Sequence, residues 1–314
     1  METKFIRGKF TEEQLELAII QLFKDQNYDY VNGETMHRRF EDVLIEGDIR
    51  NYLSENYRDA ALTETEIQTI INKLKHISDY PLYEGNRETF WLINEGFDLV
   101  REDSAKSALH IEYVNFKDPD KNIFKVVNQY SVQDRALRRP DMLVFVNGIP
   151  VAIFEFKTAI EEGKTIHDAW KQITVRYARD IPKLLKYCCL AVVSDGANTK
   201  MGTDEDKVSN GISSLFTMVE GAFSKARLVE IIRDFVFYPD DSKHCEAIVC
   251  RYPQYFAATK MLDNICLHML PDGDGKGGTY FGATGCGKTY AMMFLSRLLN
   301  MRRRDELSNP TIII

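Results

Sequence analysis

The sequence of 314 residues lacks the features that mark several classes of protein. It has no run of about 18 apolar residues, and its N-terminus has no apolar core of a signal peptide, so we expect a cytoplasmic protein that does not cross a membrane. Its six cysteines form no Cys-x-x-Cys pair, which argues against a zinc site and a disulfide framework. The net charge of −7 excludes a generally basic DNA-coating protein, so any contact with nucleic acid must come from a local patch.

The segment 138–157 carries the most chemistry in the chain. It contains two apolar runs, residues 142–146 and 149–154, on either side of Asn147-Gly148. An Asn-Gly pair between apolar, β-branched and aromatic runs is the strongest short-range signal for a β-hairpin. The sequence therefore predicts two antiparallel strands joined by a tight turn.

Three charged residues belong to the open end of this hairpin. Asp141 begins the first strand, and Glu155 and Lys157 end the second, so pairing of the strands brings them together. Two close carboxylates repel unless a cation lies between them, and Mg²⁺ accepts carboxylate ligands. We therefore predict Mg²⁺ between Asp141 and Glu155, with Lys157 orienting or deprotonating the attacking water. The alternative is a solvated hairpin tip with an ion pair between Lys157 and Glu155.

In chain order, Arg139-Pro140-Asp141 and Glu155-Phe156-Lys157 resemble the PD-(D/E)xK nuclease signature. The flanking segments narrow the resemblance to the nuclease domain of the restriction (R, motor) subunit of type I restriction-modification enzymes: Asn128-Gln129-Tyr130, Asp180-Ile181-Pro182 and Ser194-Asp195-Gly196. The resemblance covers essentially the whole chain. It implies an endonuclease on double-stranded DNA that assembles with methyltransferase and specificity subunits and is coupled to ATP-dependent translocation.

The resemblance also implies supporting residues around the metal. Glu16, on the first predicted helix, matches by position the glutamate that completes the metal site in these nucleases, although a solvated helix glutamate is an alternative. Arg139 is expected to contact phosphate or to position Asp141. Gln172 and Tyr177 are similar to a QxxxY element, with one residue more between them. On an α-helix the extra residue turns Tyr177 about 100° away, which favours Gln172 over Tyr177.

Hydrophobic periodicity predicts the elements around the hairpin. Helices are predicted at residues 11–25, 36–54, 63–76, 165–177 and towards the end of 212–238, and strands at 111–116, 124–130 and 190–194. The last strand follows the hairpin through a helix, which favours parallel pairing and hence a mixed sheet flanked by helices. Residues 164–187 carry six Lys and Arg against two Asp, which indicates a phosphate-contacting surface or, alternatively, a solvated helix face.

A second motif lies near the end of the chain. The segment Gly282-Ala283-Thr284-Gly285-Cys286-Gly287-Lys288-Thr289 fits G-x-x-x-x-G-K-[ST] in full, with a strand predicted at 279–281 and a helix at 290–299. This predicts an ATP site in which the loop glycines and the helix N-terminus hold phosphates, Lys288 reaches the β- and γ-phosphates, and Thr289 binds Mg²⁺. Upstream, the segment 251–257 resembles the one before the P-loop in superfamily 2 helicase motors, where a Gln reads adenine. Gln254 matches that Gln, with Arg251 as its support, although a polar helix start is an alternative.

These motifs predict two α/β domains. Residues 1–240 form an endonuclease domain, and residues 241–314 form the first part of a RecA-like P-loop domain. That second part has no Walker B acid and no arginine finger, so we expect a fragment of a longer protein. Two other functions stay open: an ATP-dependent DNA helicase or remodelling motor whose N-terminal domain binds DNA without cutting, and a binding domain with an inactive nuclease fold.

Overall fold

The chain folds into two compact units. The computed structural model describes residues 11–157, 166–195, 199–202, 215–239, 247–303, 307 and 311–312. The first unit contains residues 1–229 and 238–247, and the second contains residues 230–237 and 248–314. The boundary predicted at residue 240 lies in the short segment by which the chain returns to the first unit.

Helices and mostly short strands occur in groups along the described part of the chain. The helices are α1 (Glu12–Asp25), α2 (Glu46–Asn56), α3 (Glu64–Lys75), α4 (Leu82–Glu95), α5 (Ile166–Lys171), α6 (Ala178–Asp180), α7 (Pro182–Leu185), α8 (Leu215–Ala222), α9 (Lys225–Asp234), α10 (Tyr252–His268) and α11 (Lys288–Arg297). The strands are β1 (Asp29–Asn32), β2 (Phe97–Leu99), β3 (Leu109–Ile111), β4 (Phe124–Asn128), β5 (Val132–Gln133), β6 (Leu137–Arg138), β7 (Met142–Val146), β8 (Ile149–Phe156), β9 (Leu190–Ser194), β10 (Thr199–Gly202), β11 (Val236–Phe237) and β12 (Ile248–Val249). Within the described residues, no helix combines the length and apolarity needed to span a bilayer.

A six-stranded mixed sheet forms the centre of the first unit. Its order is β1-β4-β7-β8-β9-β10, with parallel pairing of β1 to β4 and of β8 to β9 and antiparallel pairing elsewhere. Every residue of β7, β8 and β9 is buried, and α1 and α5 pack against the sheet. The predicted hairpin, the parallel return of β9 and the mixed sheet are confirmed.

The two residues of the hairpin turn, Asn147 and Gly148, are both held by contacts with other parts of the chain. Asn147 and Gly148 both have positive φ, at 50° and 79°, as a two-residue hairpin turn requires. The side chain of Asn147 accepts from the amide of Ile123 at 2.7 Å and donates to the carbonyl oxygen of Tyr113 at 2.9 Å. A Cβ at Gly148 would lie 2.3 Å from the carbonyl oxygen of Ile45. The turn therefore needs glycine for its backbone geometry and for the close approach of its neighbour.

Two helix starts follow the sequence pattern closely. In α1, Thr11 and Gln14 form a reciprocal capping box, with Gln14 N donating to Thr11 Oγ1 at 3.2 Å. In α3, Thr63 and Glu66 form the same arrangement, with a 3.1 Å bond from Glu66 N to Thr63 Oγ1. Each cap satisfies amide groups that the first helical turn leaves without a partner. The helices predicted at 11–25 and 63–76 are confirmed.

The helix predicted at 36–54 is wrong in its first half. Only α2, from Glu46, is helical, because the preceding segment makes contacts with β5 and the residues before it. The guanidinium of Arg38 lies 3.4 Å from the ring centroid of Tyr130, and the carbonyl oxygen of Phe40 accepts from the amide of Gln133 at 2.8 Å. Tertiary bonds thus take backbone groups that a helix would use.

Other predicted boundaries also shift. The strand predicted at 111–116 ends at Ile111, because the next residues form a turn that Asn115 and Asn122 hold through side-chain bonds. The strand predicted at 124–130 ends at Asn128, since Gln129 has a φ of 52°. The predicted strand at 279–281 has no regular structure. The helix predicted at 165–177 changes geometry after Lys171, with a direct effect on the site described next.

Candidate active site

The open end of the β7–β8 hairpin gathers the charged residues that the sequence predicts there. Asp141 directly precedes β7, and its Oδ2 accepts a 2.6 Å bond from the amide of Phe156 at the end of β8. Glu155 lies on β8 beside Val193 of β9 and is only 1% exposed. The hairpin therefore fixes one carboxylate against the backbone and buries the other next to it.

Lys157 lies over the end of β8. Its Nζ donates to Glu155 Oε1 at 3.0 Å and to the carbonyl oxygen of Phe156 at 2.9 Å. The lysine side chain is 12% exposed. The ion pair of the alternative interpretation is thus present, but the solvated hairpin tip is wrong, because both partners are shielded from water.

Tyr177 also reaches Glu155, which corrects the expectation that an extra residue turns it away. Residues 172–177 form a π-helix, in which bonds close from residue i to i+5, so Gln172 and Tyr177 lie one turn apart. Tyr177 Oη donates to Glu155 Oε2 at 3.1 Å. Gln172 Nε2 bonds to Tyr177 Oη at 2.8 Å and also donates to Glu155 Oε1. The wider turn accommodates the extra residue.

Glu16 is held by amide side chains at the end of β4. Asn128 Nδ2 donates to Glu16 Oε1 at 2.6 Å, and Gln129 Nε2 donates to Oε2 at 3.1 Å. The backbone amide of Gln129 in turn bonds to the carbonyl oxygen of Asp141 at 3.1 Å. The sequence motif contains Asn128 and Gln129, but local sequence does not indicate their bonds to Glu16, which join residues 112 and 113 positions apart in the chain.

The two central carboxyls hold protons more tightly than exposed ones do. Burial, and then the nearby charge of Asp141, raise the pKa of Glu155 to about 8. Burial also raises the pKa of Asp141 to about 6, against a lowering by the Phe156 amide and Lys157. Glu12 and Glu16 add to the rise at Asp141, and Glu12 is a neighbour that the sequence patterns did not indicate. The pair therefore favours an added positive charge.

The donor chemistry of this pair fits a hard divalent cation. Asp141 and Glu155 provide carboxylate oxygens, and Mg²⁺ commonly takes one or two protein carboxylates and completes its shell with water. Across the described residues, no three or more His, Cys, Asp or Glu side chains come together as a metal-binding group. Glu16 thus lies beside the pair without joining it in one cluster.

The chain is similar to known proteins over most of its length. A family model described as "Type I restriction enzyme R protein N terminus (HSDR_N)" matches residues 9–210. The chain belongs to this family. It is 28% identical to the "Putative type I restriction enzyme MjaIXP endonuclease subunit" of Methanocaldococcus jannaschii, across 98% of this chain and 33% of that protein. It is 24% identical to the "Type I restriction enzyme HindI endonuclease subunit" of Haemophilus influenzae, across 96% and 31%. The chain thus spans about a third of the length of these relatives.

Two other predicted residues of this HSDR_N chain, Arg139 and Lys186, bond partners other than the two carboxylates. Arg139 is 52% exposed and its Nη1 pairs with Glu34 Oε1 at 2.8 Å, so its guanidinium bonds a surface glutamate and not Asp141. Of the predicted basic surface, Lys186 is 3% exposed and donates to the carbonyl oxygen of Ile77 at 2.6 Å, which removes it from the surface. Lys164 lies outside the described residues.

Part of the basic surface is nevertheless exposed. Lys171 and Arg176 are both exposed, and neither has an acidic partner within 4.0 Å among the described residues. They lie on the segment whose other side chains, Gln172 and Tyr177, reach Glu155. Lys183 donates to the carbonyl oxygen of Glu41 at 2.7 Å. The free cations are therefore adjacent in sequence to the residues of the site.

The second unit contains the glycine-rich loop beyond the residues matched by the family model. Gly285 and Gly287 have φ of 80° and 81°, and α11 begins at Lys288, directly after them. Lys288 Nζ bends back to the carbonyl oxygens of Gly282 and Ala283, at 2.9 and 3.0 Å. A glycine-rich loop followed by a lysine at the start of a helix is the structural context of the P-loop motif.

Gln254 connects this loop to the start of α10. Its side chain is 3% exposed, its Oε1 accepts from the amide of Arg251 at 2.7 Å, and its Nε2 donates to the carbonyl oxygen of Gly287 at 3.3 Å. Both ends of the amide are therefore bonded within the protein. Thr289 is exposed on the first turn of α11.

Proposed function

We propose that the hairpin site is the nuclease centre of a type I restriction endonuclease subunit, with double-stranded DNA as substrate and Mg²⁺ as cofactor. One observation carries the proposal: Glu155, 1% exposed, lies beside Asp141 and accepts bonds from Lys157, Gln172 and Tyr177. Membership of the HSDR_N family and relatives named as endonuclease subunits support it. We assign the mixed sheet and its helices to the PD-(D/E)xK fold.

Asp141 and Glu155 would hold the cation, and Glu16 would face its water shell. A bound Mg²⁺ lowers the pKa of a coordinated water and stabilises negative charge on the phosphate undergoing attack. The raised pKa of Glu155, about 8, means that cation binding must displace a proton from the pair near neutral pH. The two carboxyl groups would therefore bind the cation and release a proton to solvent as it binds.

Lys157 would act as a fixed positive charge. Its Nζ donates to a carboxylate oxygen of Glu155 and to the carbonyl oxygen of Phe156, and these two contacts hold it at the end of β8. A fixed ammonium can orient the attacking water and offset charge on the phosphate. Gln172 and Tyr177 keep Glu155 in one orientation, because they donate to different oxygens of its carboxylate.

Exposed cations near the site would contact the DNA backbone. Lys171 and Arg176 have no acidic partner among the described residues and belong to the segment that carries Gln172 and Tyr177. The chain as a whole is negative, so these local charges supply attraction that the rest of the surface does not. No base-reading element is needed for such contacts, which position phosphates without reading sequence.

The second unit supports a further part of the proposal. We assign it as the first part of a RecA-like domain that binds ATP through Gly282, Gly285, Gly287, Lys288 and Thr289, with Gln254 and Arg251 at its adenine side. In the full-length subunit this domain would drive DNA translocation in the cytoplasm, in complex with methyltransferase and specificity subunits. The complete glycine-rich loop at the start of α11 supports nucleotide binding.

The test is DNA cleavage by the full-length subunit in its restriction complex. With Mg²⁺ and ATP, we expect the wild type to cut and Glu155→Gln to lose cleavage by about 100-fold or more, because a buried ligand is removed. Glu55→Gln, which alters an exposed glutamate on α2, is the control and should retain cleavage. Cleavage by Glu155→Gln at the wild-type rate would reject the proposed centre.

A DNA motor whose N-terminal domain does not cut is the second candidate, and the glycine-rich loop favours it. The same variant separates the two functions. If the hairpin cuts, Glu155→Gln abolishes cleavage and leaves ATP hydrolysis unchanged. If the complex translocates DNA while the wild type makes no cut in the presence of Mg²⁺ and ATP, the motor alone accounts for the chain.

A further inference from the structure

Asp180 is the acidic residue of the Asp180-Ile181-Pro182 motif, which the nuclease chemistry above does not use. It is 5% exposed and bonds two arginines. Arg138 Nε donates to its Oδ2 at 2.7 Å, and Arg179 Nε donates to its Oδ1 at 2.6 Å. The pKa of Asp180 is lowered to about 2, first by Arg179 and also by Arg138, so it stays ionised. Its two charged partners hold this buried, ionised carboxylate in one position.

The two arginines differ in what they connect. Arg179 directly precedes Asp180 in the chain, so its bond lies within α6 and does not connect separate segments. Arg138 is at the end of β6, 42 residues away, and lies three residues before Asp141. The bond from Arg138 therefore joins the segment that leads into the first carboxylate to the segment that follows Tyr177.

Backbone bonds support the same junction. The amide of Ala136 donates to the carbonyl oxygen of Asp180 at 3.2 Å. The amide of Lys183 donates to Asp134 Oδ2 at 3.1 Å. The β5–β6 turn is thus attached at several points to residues 180–183. The side chain of Arg138 is the charged part of that attachment and is 33% exposed.

The other ends of both segments meet at the site. Asp141 accepts from the amide of Phe156, next to Glu155, and Tyr177 donates to Glu155 itself. Two short chain segments, 138–141 and 177–180, are therefore bonded to each other at both ends. At one end Asp141 and Tyr177 bond Phe156 and Glu155 of β8, and at the other Arg138 bonds Asp180. Substitution of Arg138 changes neither Asp141 nor Glu155, yet it removes the charged attachment of the segment that leads into Asp141.

We propose that Asp180 and Arg138 are positioning residues that fix Asp141 relative to Glu155 and Tyr177. The proposal rests on the nuclease assignment for its purpose, but its geometry does not depend on a metal. A general contribution of Arg138 to stability would speed hydrogen exchange in the buried centre of β7 as much as at the site. A positioning role requires that only Arg138 acts on the site.

The experiment compares Arg138→Gln with Arg179→Gln as the matched control, in the 314-residue chain. The first readout is hydrogen exchange at the amide of Phe156, which donates to Asp141 and needs no metal. We expect exchange about tenfold faster or more in Arg138→Gln and within about threefold of wild type in Arg179→Gln. The amide of Val144, in the buried centre of β7, reports whether the fold is intact.

The second readout is Mn²⁺ affinity measured by electron paramagnetic resonance. Loss of a residue that orients a ligand typically weakens metal binding 10- to 100-fold, so we expect about tenfold weakening in Arg138→Gln and none in Arg179→Gln. If the wild type binds no Mn²⁺, the nuclease assignment fails, and the Phe156 exchange still decides the positioning role.

Arg138→Lys covers the case in which Arg138→Gln unfolds the chain. It keeps a cation beside Asp180 but lacks the guanidinium, whose Nε and Nη2 both contact Asp180 Oδ2. We expect intermediate exchange at Phe156 with wild-type exchange at Val144. Equal exchange at Phe156 in the Arg138 and Arg179 variants, or wild-type exchange in Arg138→Gln and Arg138→Lys, would overturn the proposal.

Discussion

Tyr177 donates a hydrogen bond to Glu155 across 22 residues of sequence, and it does so because the helix between them widens by one residue. An α-helical spacing would turn the tyrosine away from the carboxylate. The π-helical turn instead brings Gln172 and Tyr177 to the same side, where they hold both oxygens of Glu155. This relationship connects a local irregularity of the backbone to the charge state and orientation of the proposed metal ligand.

The first prediction concerns the hydroxyl of Tyr177. Tyr177→Phe removes the donor to Glu155 Oε2, so we expect Mn²⁺ affinity to fall about tenfold, as for other residues that orient a metal ligand. Calorimetric titration measures the affinity. The free energy of unfolding should fall by about 1 kcal/mol, the net value of one hydrogen bond.

Tyr187→Phe is the matched control for Tyr177→Phe. Tyr187 is also buried, and its hydroxyl donates to the carbonyl oxygen of Leu74 at 3.1 Å. We expect a similar loss of stability and no change in Mn²⁺ affinity. Equal affinities for wild type and Tyr177→Phe would mean that the hydroxyl does not orient Glu155.

The second prediction concerns stability and pH without metal. The pKa of Glu155 is raised to about 8 in the folded chain, so between about pH 4.5 and pH 8 the folded state holds a proton that the unfolded state has released. The free energy of unfolding therefore falls as pH rises through this window. The glutamine of Glu155→Gln does not titrate, so the variant does not share this loss. Its free energy of unfolding relative to wild type should therefore increase from pH 5 to pH 8, by about 2–4 kcal/mol.

Urea unfolding of wild type and Glu155→Gln at several pH values measures this difference. Glu55→Gln, on the exposed face of α2, is the control and should follow the wild type across the range. Saturating Mg²⁺ should reduce the advantage of Glu155→Gln at pH 8, since the cation replaces the proton. A difference that stays constant from pH 5 to pH 8 would contradict the raised pKa.

The third prediction concerns the extra residue of the π-helical turn. Val175 is 64% exposed, so its deletion removes no buried side chain. Deletion should convert the turn to an α-helix, in which Gln172 and Tyr177 would be four residues apart and remain on one side. We expect a folded chain that keeps wild-type Mn²⁺ affinity and is equally or more stable to heat.

Deletion of Thr69, exposed within the regular helix α3, is the control for the deletion of Val175. It should turn the buried residues that follow away from the core by about 100° and strongly destabilise the fold. If deletion of Val175 destabilises the chain as much as deletion of Thr69, the π-helical turn is not a tolerated insertion of one residue.

The fourth prediction concerns DNA affinity and salt. If Arg176 contacts a phosphate, Arg176→Gln should weaken binding to duplexes of any sequence. It should also reduce the slope of log affinity against log salt concentration by about 0.9. Fluorescence anisotropy over a salt series measures both. Lys106→Gln, on the exposed connection between β2 and β3, is the control and should change neither quantity.

The sequence indicated the centre of the site better than its surroundings. The hairpin could be predicted because Asn147-Gly148 and its apolar flanks are local signals, and the capping boxes at Thr11 and Thr63 are equally local. Family membership, predicted from the two charged motifs and the segments around them, is confirmed by the match to residues 9–210. These features depend on residues that are close together in sequence.

The features that the sequence did not indicate depend on distant contacts or on backbone geometry. The segment before α2 is not helical, because Arg38 stacks on Tyr130 from a remote part of the chain. Lys186 looked like a surface cation, yet it donates to the carbonyl oxygen at Ile77 beyond the end of α3. An α-helix over residues 172–177 would turn Tyr177 away from Glu155, but these residues form a π-helix. No spacing rule distinguishes an α-helix from a π-helical turn without the contacts that stabilise it.

The most direct test of the central claim is anomalous diffraction from crystals soaked in Mn²⁺, for wild type and Glu155→Gln. We predict one anomalous peak between the carboxylates of Asp141 and Glu155 in the wild type, and its loss or marked weakening in the variant with the surrounding fold unchanged. No peak at millimolar Mn²⁺ above pH 8, where both carboxyls can ionise, would contradict the account of a metal-dependent nuclease centre on this hairpin.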